Sequence, residues 1–320
     1  MNFLVTGGAG FIGSHFVAKL LSLKETSRVT ALDNLTYAGR RENLVESLSD
    51  NRFTLKEGDI RDIELVQNLV KDVDYVVNFA AESHVDRSIM SSSEFVSTNI
   101  QGTQVLLEAS LKHKVGRFLQ VSTDEVYGSI SKGHWTEDSP LLPNSPYSAS
   151  KASADLLVRA FNITHSLNTV ITRCSNNFGP RQYPEKLIPL SIINLIEGKN
   201  ICLYGNGLNI RDWLHVKDHC EGIYNALTRG ESGSIYNLGA GAEKTNLEIA
   251  STILDQFGLD RSRLEFVEDR LGHDFRYSVS FQKAQLELGF YPKISFEEGM
   301  KETVNWYRDN EMWWRSLERP

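Results

Sequence analysis

"TGGAGFIGS", residues 6–14, follows an apolar run at residues 2–5 and precedes Phe16, Val17, Leu20 and Leu21, which recur at helical spacing. Gly8, Gly10 and Gly13 fit the pattern G-x-G-x-x-G, and Gly7, Gly10 and Gly13 fit its wider-spaced form. Glycines are needed there if the backbone turns tightly, approaches a pyrophosphate without a Cβ in the way and packs a helix on a sheet. The phosphates would then face the positive end of the helix. A glycine-rich turn alone is weak evidence, because such turns also serve purely conformational ends.

The surroundings strengthen it. Short apolar runs recur at 2–7, 29–34, 53–60, 74–81, 117–123 and 169–176, each followed by a helical pattern. Alternation of this kind predicts parallel strands joined by crossover helices, with a sheet covered on both faces. The fold class is therefore α/β: a Rossmann-type doubly wound parallel sheet. Asp33, 20 residues after Gly13, ends the second run, where a carboxylate can accept from both ribose hydroxyls and repel a 2′-phosphate. NAD rather than NADP is the expected cofactor.

Beyond Asn177 the rhythm changes. "FGPRQYPEKLIP" holds three of the chain's eight prolines, and a helix and a short strand with its turn follow. The division expected is an NAD-binding domain over 1–177, rejoined by 211–239, with 178–210 and 240–320 mainly forming a smaller, interleaved substrate-binding domain. Interleaving leaves a cleft where ligands bind.

Composition bounds the partners. The 320 residues are 41% hydrophobic and 23% charged, with a net charge of −7. That is the balance of a globular protein, and the acidic excess disfavours nucleic acid. The three cysteines, Cys174, Cys202 and Cys220, are widely spaced without a CxxC pattern, so neither disulfides nor zinc are expected. No basic leader opens the chain and no run of about 18 apolar residues occurs. A soluble cytoplasmic protein away from the membrane is expected. His84 and His215 lack paired-ligand spacing, and no metal is expected.

The chemistry concentrates in two stretches. "SPYSASKASADLLVRAF" (145–161) starts a helix with Ser145 as N-cap and Pro146 at its first position. Tyr147 and Lys151 then lie one turn apart on one side, where an ammonium favours a phenolate that can act as a base. In isolation a Y-x-x-x-K pair is an ordinary helix surface; behind a dinucleotide motif it is a reaction centre. "VSTDEVYG" (121–128) sets Thr123, Asp124 and Glu125 in a row at the end of the fifth strand. Alone, such a pair is a solvated loop or a helix cap.

Together "TGGAGFIGS" and "YSASK" resemble the extended short-chain dehydrogenase/reductase family, which works on nucleotide sugars. "NFAAESHVDRSI", "VSTDEVYG", "SPYSASKAS", "CSNNFGP", "PEKLIPL", "IRDWLHV" and "DRLGHDFRY" resemble its 4,6-dehydratase branch over nearly the whole chain. The resemblance implies a dTDP-glucose substrate dehydrated to dTDP-4-keto-6-deoxyglucose, with NAD reduced and reoxidised within one turnover. It implies cofactor contacts at Gly7, Gly10, Phe11 and Ile12, at Asp33, Asn34 and Thr36, at Asp59 and Ile60 beside the adenine, and at Ala80, Ala81, Ser83, Thr98 and Asn177.

In that scheme Tyr147 takes the proton of the 4-hydroxyl, Lys151 holds the tyrosine and the nicotinamide ribose, and Thr123 bonds the 4-oxygen. Glu125 is the base at carbon 5 and Asp124 the acid toward the 6-hydroxyl, which requires opposite protonation states in adjacent carboxyls.

Arg211 is the first candidate for the diphosphate, since a guanidinium forms paired bonds to phosphate oxygens. Ser83, Asn176, Glu185, Lys186, Leu187, Tyr204, Asn246, Arg270 and His273 complete the implied substrate site. Leu271 and Phe275 depart from the Pro and Arg common in relatives, which places the rim near His273 in question. Trp306, Trp313 and Trp314 read as packing residues. Helices around 98–113 and 145–165 resemble those forming a four-helix homodimer interface in the family.

Two readings compete. UDP- or GDP-linked dehydratases, 4-epimerases and decarboxylases share the cofactor site with Tyr147 and Lys151, but an epimerase has no use for Asp124 as an acid. A non-catalytic NAD sensor would not need Thr123, Asp124, Glu125, Tyr147 and Lys151 together.

Overall fold

A computed structural model describes residues 1–269 and 272–317. In chain order it runs β1 (Asn2–Thr6), α1 (Phe11–Leu21), β2 (Arg28–Asp33), β3 (Phe53–Glu57), α2 (Ile63–Val70), β4 (Tyr75–Asn78), α3 (Val85–Met90), α4 (Ser93–Phe95), α5 (Thr103–Lys112), β5 (Arg117–Thr123) and α6 (Pro146–His165). There follow β6 (Thr169–Cys174), β7 (Asn176–Phe178), α7 (Leu187–Ile196), β8 (Ile201–Tyr204), β9 (Ile210–His215), α8 (Val216–Arg229), β10 (Ile235–Leu238), β11 (Glu243–Thr245), α9 (Asn246–Phe257), β12 (Leu264–Val267), α10 (Phe296–Asp309) and α11 (Glu311–Arg315).

Seven strands form one parallel sheet in the order β10-β6-β5-β4-β1-β2-β3. Its inner strands are buried along their length because both faces are covered, whereas the edge strand β3, Phe53–Glu57, is largely exposed. On β1, Phe3 and Val5 pack with Phe16, Val17 and Leu20 of α1, whereas Leu4 packs with Val66 and Val70 of α2 and Leu106 of α5. All of these side chains are fully buried, so each alternate residue reaches a core of its own.

From β1 the chain moves outward through β2 and β3, then returns to β4 on the other side of β1. The connection reverses direction between β1 and β4, which opens a crevice at their carboxyl ends. The glycine turn follows β1 there, and Ala80 and Ala81 follow β4.

The remaining strands form two small sheets. β9 lies between β7, parallel to it, and β11, antiparallel to it; β8 pairs with β12. Residues 210–215 thus belong to the three-stranded sheet, and the chain rejoins the large sheet through α8 and β10. A separate core gathers Phe178, Ile192, Ile193, Trp213, Ile253, Met300, Tyr307 and Trp314. The helical run expected from Thr98 begins as a π-helical turn, Val96–Gly102, before α5. π-turns of this kind recur at functional sites, and Thr98 stands on this one.

Candidate active site

The crevice at the switch point continues into a cleft of about 440 Å³ bounded by the ends of β1, β2, β4, β5 and β6 and by residues 175–186. The glycine turn forms its floor at one end. Gly7 has φ +67°, and a Cβ there would lie 2.7 Å from the Ala80 nitrogen. A Cβ on Gly13 would lie 2.2 Å from the Gly7 carbonyl oxygen. Any side chain at either position would therefore push the turn away from β4 or α1 off the turn. The first turn of α1 carries no acidic residue, so its free N–H groups keep their positive end toward the cleft.

Asp33 ends β2 in the same cleft. Its Oδ2 accepts from Ala9 N at 2.8 Å and its Oδ1 from Leu35 N at 2.9 Å. Burial raises its pKa, and the backbone N–H groups of Leu35, Ala9 and Gly10 oppose that rise. Each oxygen keeps a lone pair for a ligand hydroxyl. Asn34 donates to Asp59 Oδ2 at 3.3 Å, and Arg61 holds both Asp59 oxygens, at 3.0 and 3.1 Å from Nε. This polar wall, a glycine floor that excludes side chains and an acceptor pair at the β2 end suit the two riboses and pyrophosphate of a dinucleotide.

At the other end of the cleft, Thr123 closes β5 and caps the short helical turn Asp124–Tyr127. The Thr123 hydroxyl accepts from Glu125 N at 3.3 Å and donates to Asp124 Oδ1 at 3.3 Å. Asp124 is 3% exposed. Its Oδ2 has no hydrogen-bond partner among the described residues. Burial and then the charge of Glu125 push its carboxyl well above the ordinary carboxylate range, against the pull of Arg211. Of the two adjacent carboxyls at this strand end, Asp124 is thus driven toward its protonated form.

Ser145 caps α6 through a capping box with Ser148, and Pro146 occupies the first turn, so Tyr147 enters the cleft beside Thr123. Lys151, one turn on and 4% exposed, donates to the Val121 carbonyl at 2.8 Å. The expected phenolate is not favoured by the protein alone. Burial raises the Tyr147 pKa well above its ordinary value, followed by the fields of Glu125, Cys174 and Asp124, while a bond from Thr123 opposes them. Lys151 is itself lowered by burial and raised by Asp155. One of its three donors is taken by the β5 backbone, which leaves two for a ligand.

Gly7, Gly10, Phe11, Ile12, Asp33, Asn34, Thr36, Asp59, Ile60, Ala80, Ala81, Ser83, Thr98, Thr123, Asp124, Glu125, Tyr147, Lys151, Asn176, Asn177, Glu185 and Lys186 all line this one cleft. Asn177 is fixed at both ends, donating to Ser175 O at 3.0 Å and facing His219 Nδ1 at 2.9 Å. Lys186 donates to Ser83 O at 3.1 Å. Glu185 accepts from the Tyr37 hydroxyl at 3.3 Å and lies 3.6 Å from His84 Nε2.

Leu187, Tyr204, Arg211, Asn246 and His273 are not among the lining residues. Leu187 opens α7 and Asn246 opens α9. Arg211 is 5% exposed and donates to the carbonyls of Ile210 at 2.7 Å, Phe275 at 3.2 Å and Asp274 at 2.8 Å. Its guanidinium stacks 4.4 Å from the Tyr277 ring centroid. Tyr204 meets His273 edge-on at 6.2 Å, and His273 Nδ1 pairs with Asp269 at 2.6 Å. Arg270 and Leu271 lie outside the described residues.

Sequence reasoning passed over Tyr37, Arg61, Cys174, Gln182 and Tyr183, which also line the cleft. Cys174 ends β6, and its position at the carboxyl end of a parallel strand was the available signal. His84 and His215 cap α3 and α8, accepting from Arg87 N and Lys217 N at 3.4 Å each.

Comparison with known proteins agrees with this geometry. A family described as GDP-mannose 4,6 dehydratase matches residues 4–303. A dTDP-glucose 4,6-dehydratase from Actinoplanes is 53% identical over 319 residues, covering 98% of this chain and 100% of that protein. The low-salt glycan biosynthesis protein Agl12 of Haloferax volcanii is 54% identical over 96% of this chain and 98% of its own. The crystal structure of DesIV, a dTDP-glucose 4,6-dehydratase from Streptomyces venezuelae with NAD and TYD bound, is 52% identical. It superposes with a TM-score of 0.98 over 99% of this chain and 100% of that one.

Proposed function

The chain belongs to the GDP-mannose 4,6-dehydratase family, and on that premise we propose that it dehydrates dTDP-glucose to dTDP-4-keto-6-deoxyglucose with NAD. The observation that carries this reading is Asp124: a buried acid with an unpartnered oxygen, next to Glu125 and in one cleft with Tyr147. Water leaves only if a group can hand a proton to the 6-hydroxyl, and burial keeps that proton on Asp124.

Bound NAD supplies a hydride acceptor for carbon 4, a hydride donor for carbon 6 and a positive ring beside Tyr147. The residues do the rest. Tyr147 removes the proton of the 4-hydroxyl, while Thr123 bonds the 4-oxygen and Lys151 fixes the helix turn against β5. The 4-ketone acidifies the hydrogen on carbon 5, which Glu125 takes as Asp124 protonates the departing 6-hydroxyl. Asp33 selects NAD by accepting from ribose hydroxyls and repelling a 2′-phosphate.

Residues 1–177 together with the return to the large sheet hold the cofactor. Residues 178–210 and 240–317 hold the nucleotide sugar, with Asn176, Glu185 and Lys186 at the boundary. Arg211 would serve the diphosphate by exchanging part of its carbonyl contacts for phosphate oxygens. Leu187, Tyr204, Asn246, Arg270 and His273 would complete the nucleotide side. Apolar side chains exposed on α6, Leu156 at 56% and Ile163 at 62%, support a homodimer through a four-helix bundle. No helix among the described residues is long and apolar enough to cross a membrane.

A 4-epimerase would use Tyr147 and Lys151 in the same way and leave Asp124 without a task. Incubating the purified protein with dTDP-, UDP- and GDP-glucose in competition tests both substrate and reaction. The alkaline absorbance of a 4-keto sugar should develop chiefly from dTDP-glucose. Formation of a 4-epimer, or a preference for UDP or GDP, would overturn the assignment.

A further inference from the structure

The pyrophosphate turn is tied to the far end of the chain through one side chain. Asn43 is 2% exposed, and all four of its hydrogen-bonding groups are engaged. Its Nδ2 donates to the carbonyl of Ala9, in the middle of the glycine turn, at 2.8 Å. Its Oδ1 accepts from Trp313 Nε1, on α11, at 2.9 Å. Its carbonyl accepts from Arg181 Nη1 at 3.0 Å, and its N–H donates to the Arg40 carbonyl at 3.1 Å.

Arg40 doubles the link. Its N–H also donates to the Ala9 carbonyl, at 2.9 Å, while its Nη1 donates to the Trp313 carbonyl at 2.9 Å. Its guanidinium lies 5.2 Å from the Trp313 ring centroid. Arg181 holds its contact with φ +68°, a left-handed conformation uncommon outside glycine. Trp313 is anchored in turn against Trp306, with ring centroids 4.9 Å apart.

Neither Asn43 nor Trp313 lines the cleft, so any effect of theirs on a bound ligand passes through the Ala9 carbonyl that Asn43 holds. We propose that Asn43 and Trp313 form a clasp that holds the glycine turn in place beneath bound NAD and so slows its escape. The proposal rests on the NAD-dependent reading above and gives it a physical requirement. A dinucleotide reduced at carbon 4 must stay until it has given its hydride to carbon 6, so slow release protects every turnover. Ala9 cannot swing outward while its carbonyl is held by both Asn43 and Arg40. Both clasp residues are positioning residues that act through Ala9.

The test follows exchange of bound NAD against radiolabelled NAD after rapid gel filtration, in the full-length parent and in three variants. Trp313→Phe keeps an aromatic ring near Arg40 while removing the Nε1 donor and part of the packing on Trp306, so its melting temperature is checked alongside and Trp314→Phe controls for the lost ring area. It should release NAD about tenfold faster, the effect of one buried hydrogen bond. Asn43→Ala should do at least as much, and the double variant should release no faster than Asn43→Ala alone, because both act through one link. Trp314→Phe removes a neighbouring indole donor, held by Tyr307 O at 2.8 Å in the second core, and should exchange at the parental rate.

Parental exchange in Trp313→Phe sinks the clasp. Equal acceleration in Trp314→Phe also sinks it, since any loosening of α11 would then suffice. A parent that holds no NAD overturns instead the reading of the cleft on which the clasp depends.

Discussion

Asp33 and Asp124 stand at the carboxyl ends of two parallel strands of one sheet, 8% and 3% exposed, yet their surroundings differ. Asp33 has a backbone N–H on each oxygen. Asp124 has one hydroxyl at 3.3 Å on one oxygen, no hydrogen-bond partner among the described residues on the other and a second carboxyl beside it. Depth is the same, so neighbours decide. Oriented donors favour the ionised form of Asp33, whereas their absence favours the protonated form of Asp124, the form the proposed general acid requires.

The sharpest way to break this contrast is to remove the proton at one site and the charge at the other. Asp124→Asn should lower kcat by about 10²–10⁴-fold, the usual contribution of a general acid, with NAD still bound. Turnover within about tenfold of the parent would take Asp124 out of the reaction. Glu125→Gln should suppress exchange of the carbon-5 hydrogen with D₂O, read by mass spectrometry. Exchange at the parental rate would assign that base elsewhere.

Asp33→Asn probes the other aspartate and should act on binding. An amide can satisfy only one of the Ala9 and Leu35 N–H groups, because its NH₂ faces the other. The dissociation constant for NAD, from isothermal titration, should rise about 10–100-fold, the loss of one or two charge-assisted hydrogen bonds. The fall in kcat at saturating NAD should be much smaller than in Asp124→Asn. Equal falls would mean that both aspartates serve the chemistry and that the contrast is false.

The two sites were not equally legible. Six of the seven strands of the large sheet stand close to the six apolar runs of the sequence, since strands covered on both faces leave a continuous signal such as Phe3-Leu4-Val5. β7 and β11 have three residues each and too little periodicity to read. Asp33 follows from spacing alone, because the glycine motif sets a ruler. Asp124 needed Tyr147 beside it, and its protonation needed a burial that no spacing encodes. The Lys151 bond to Val121 O, the Arg211 bond to Phe275 O and the reach of Trp313 to Asn43 join residues 30, 64 and 270 apart. Contacts that distant depend on tertiary packing.

The smallest expected effect concerns stability and has opposite signs at the two positions. The native pKa of Asp124 is raised above its unfolded value, near 3.9. Between those values the native state keeps a proton that the unfolded chain releases, so this group's stability is present at low pH and lost as pH rises through the native pKa. An asparagine does not titrate. Asp124→Asn should therefore melt close to the parent near pH 4 and above it by about 2 °C near pH 8, the shift that ~1 kcal/mol produces in a large domain. Burial also raises the Asp33 pKa, but there the Asn variant loses a backbone bond at every pH and should melt below the parent throughout. Differential scanning calorimetry without NAD reads both, and titrating groups remote from the substituted carboxyl cancel in the variant–parent difference. A difference for Asp124→Asn that stays flat from pH 4 to 8 would mean that its carboxyl ionises in the fold as freely as in water. The proton it is to deliver to the 6-hydroxyl would then not be there.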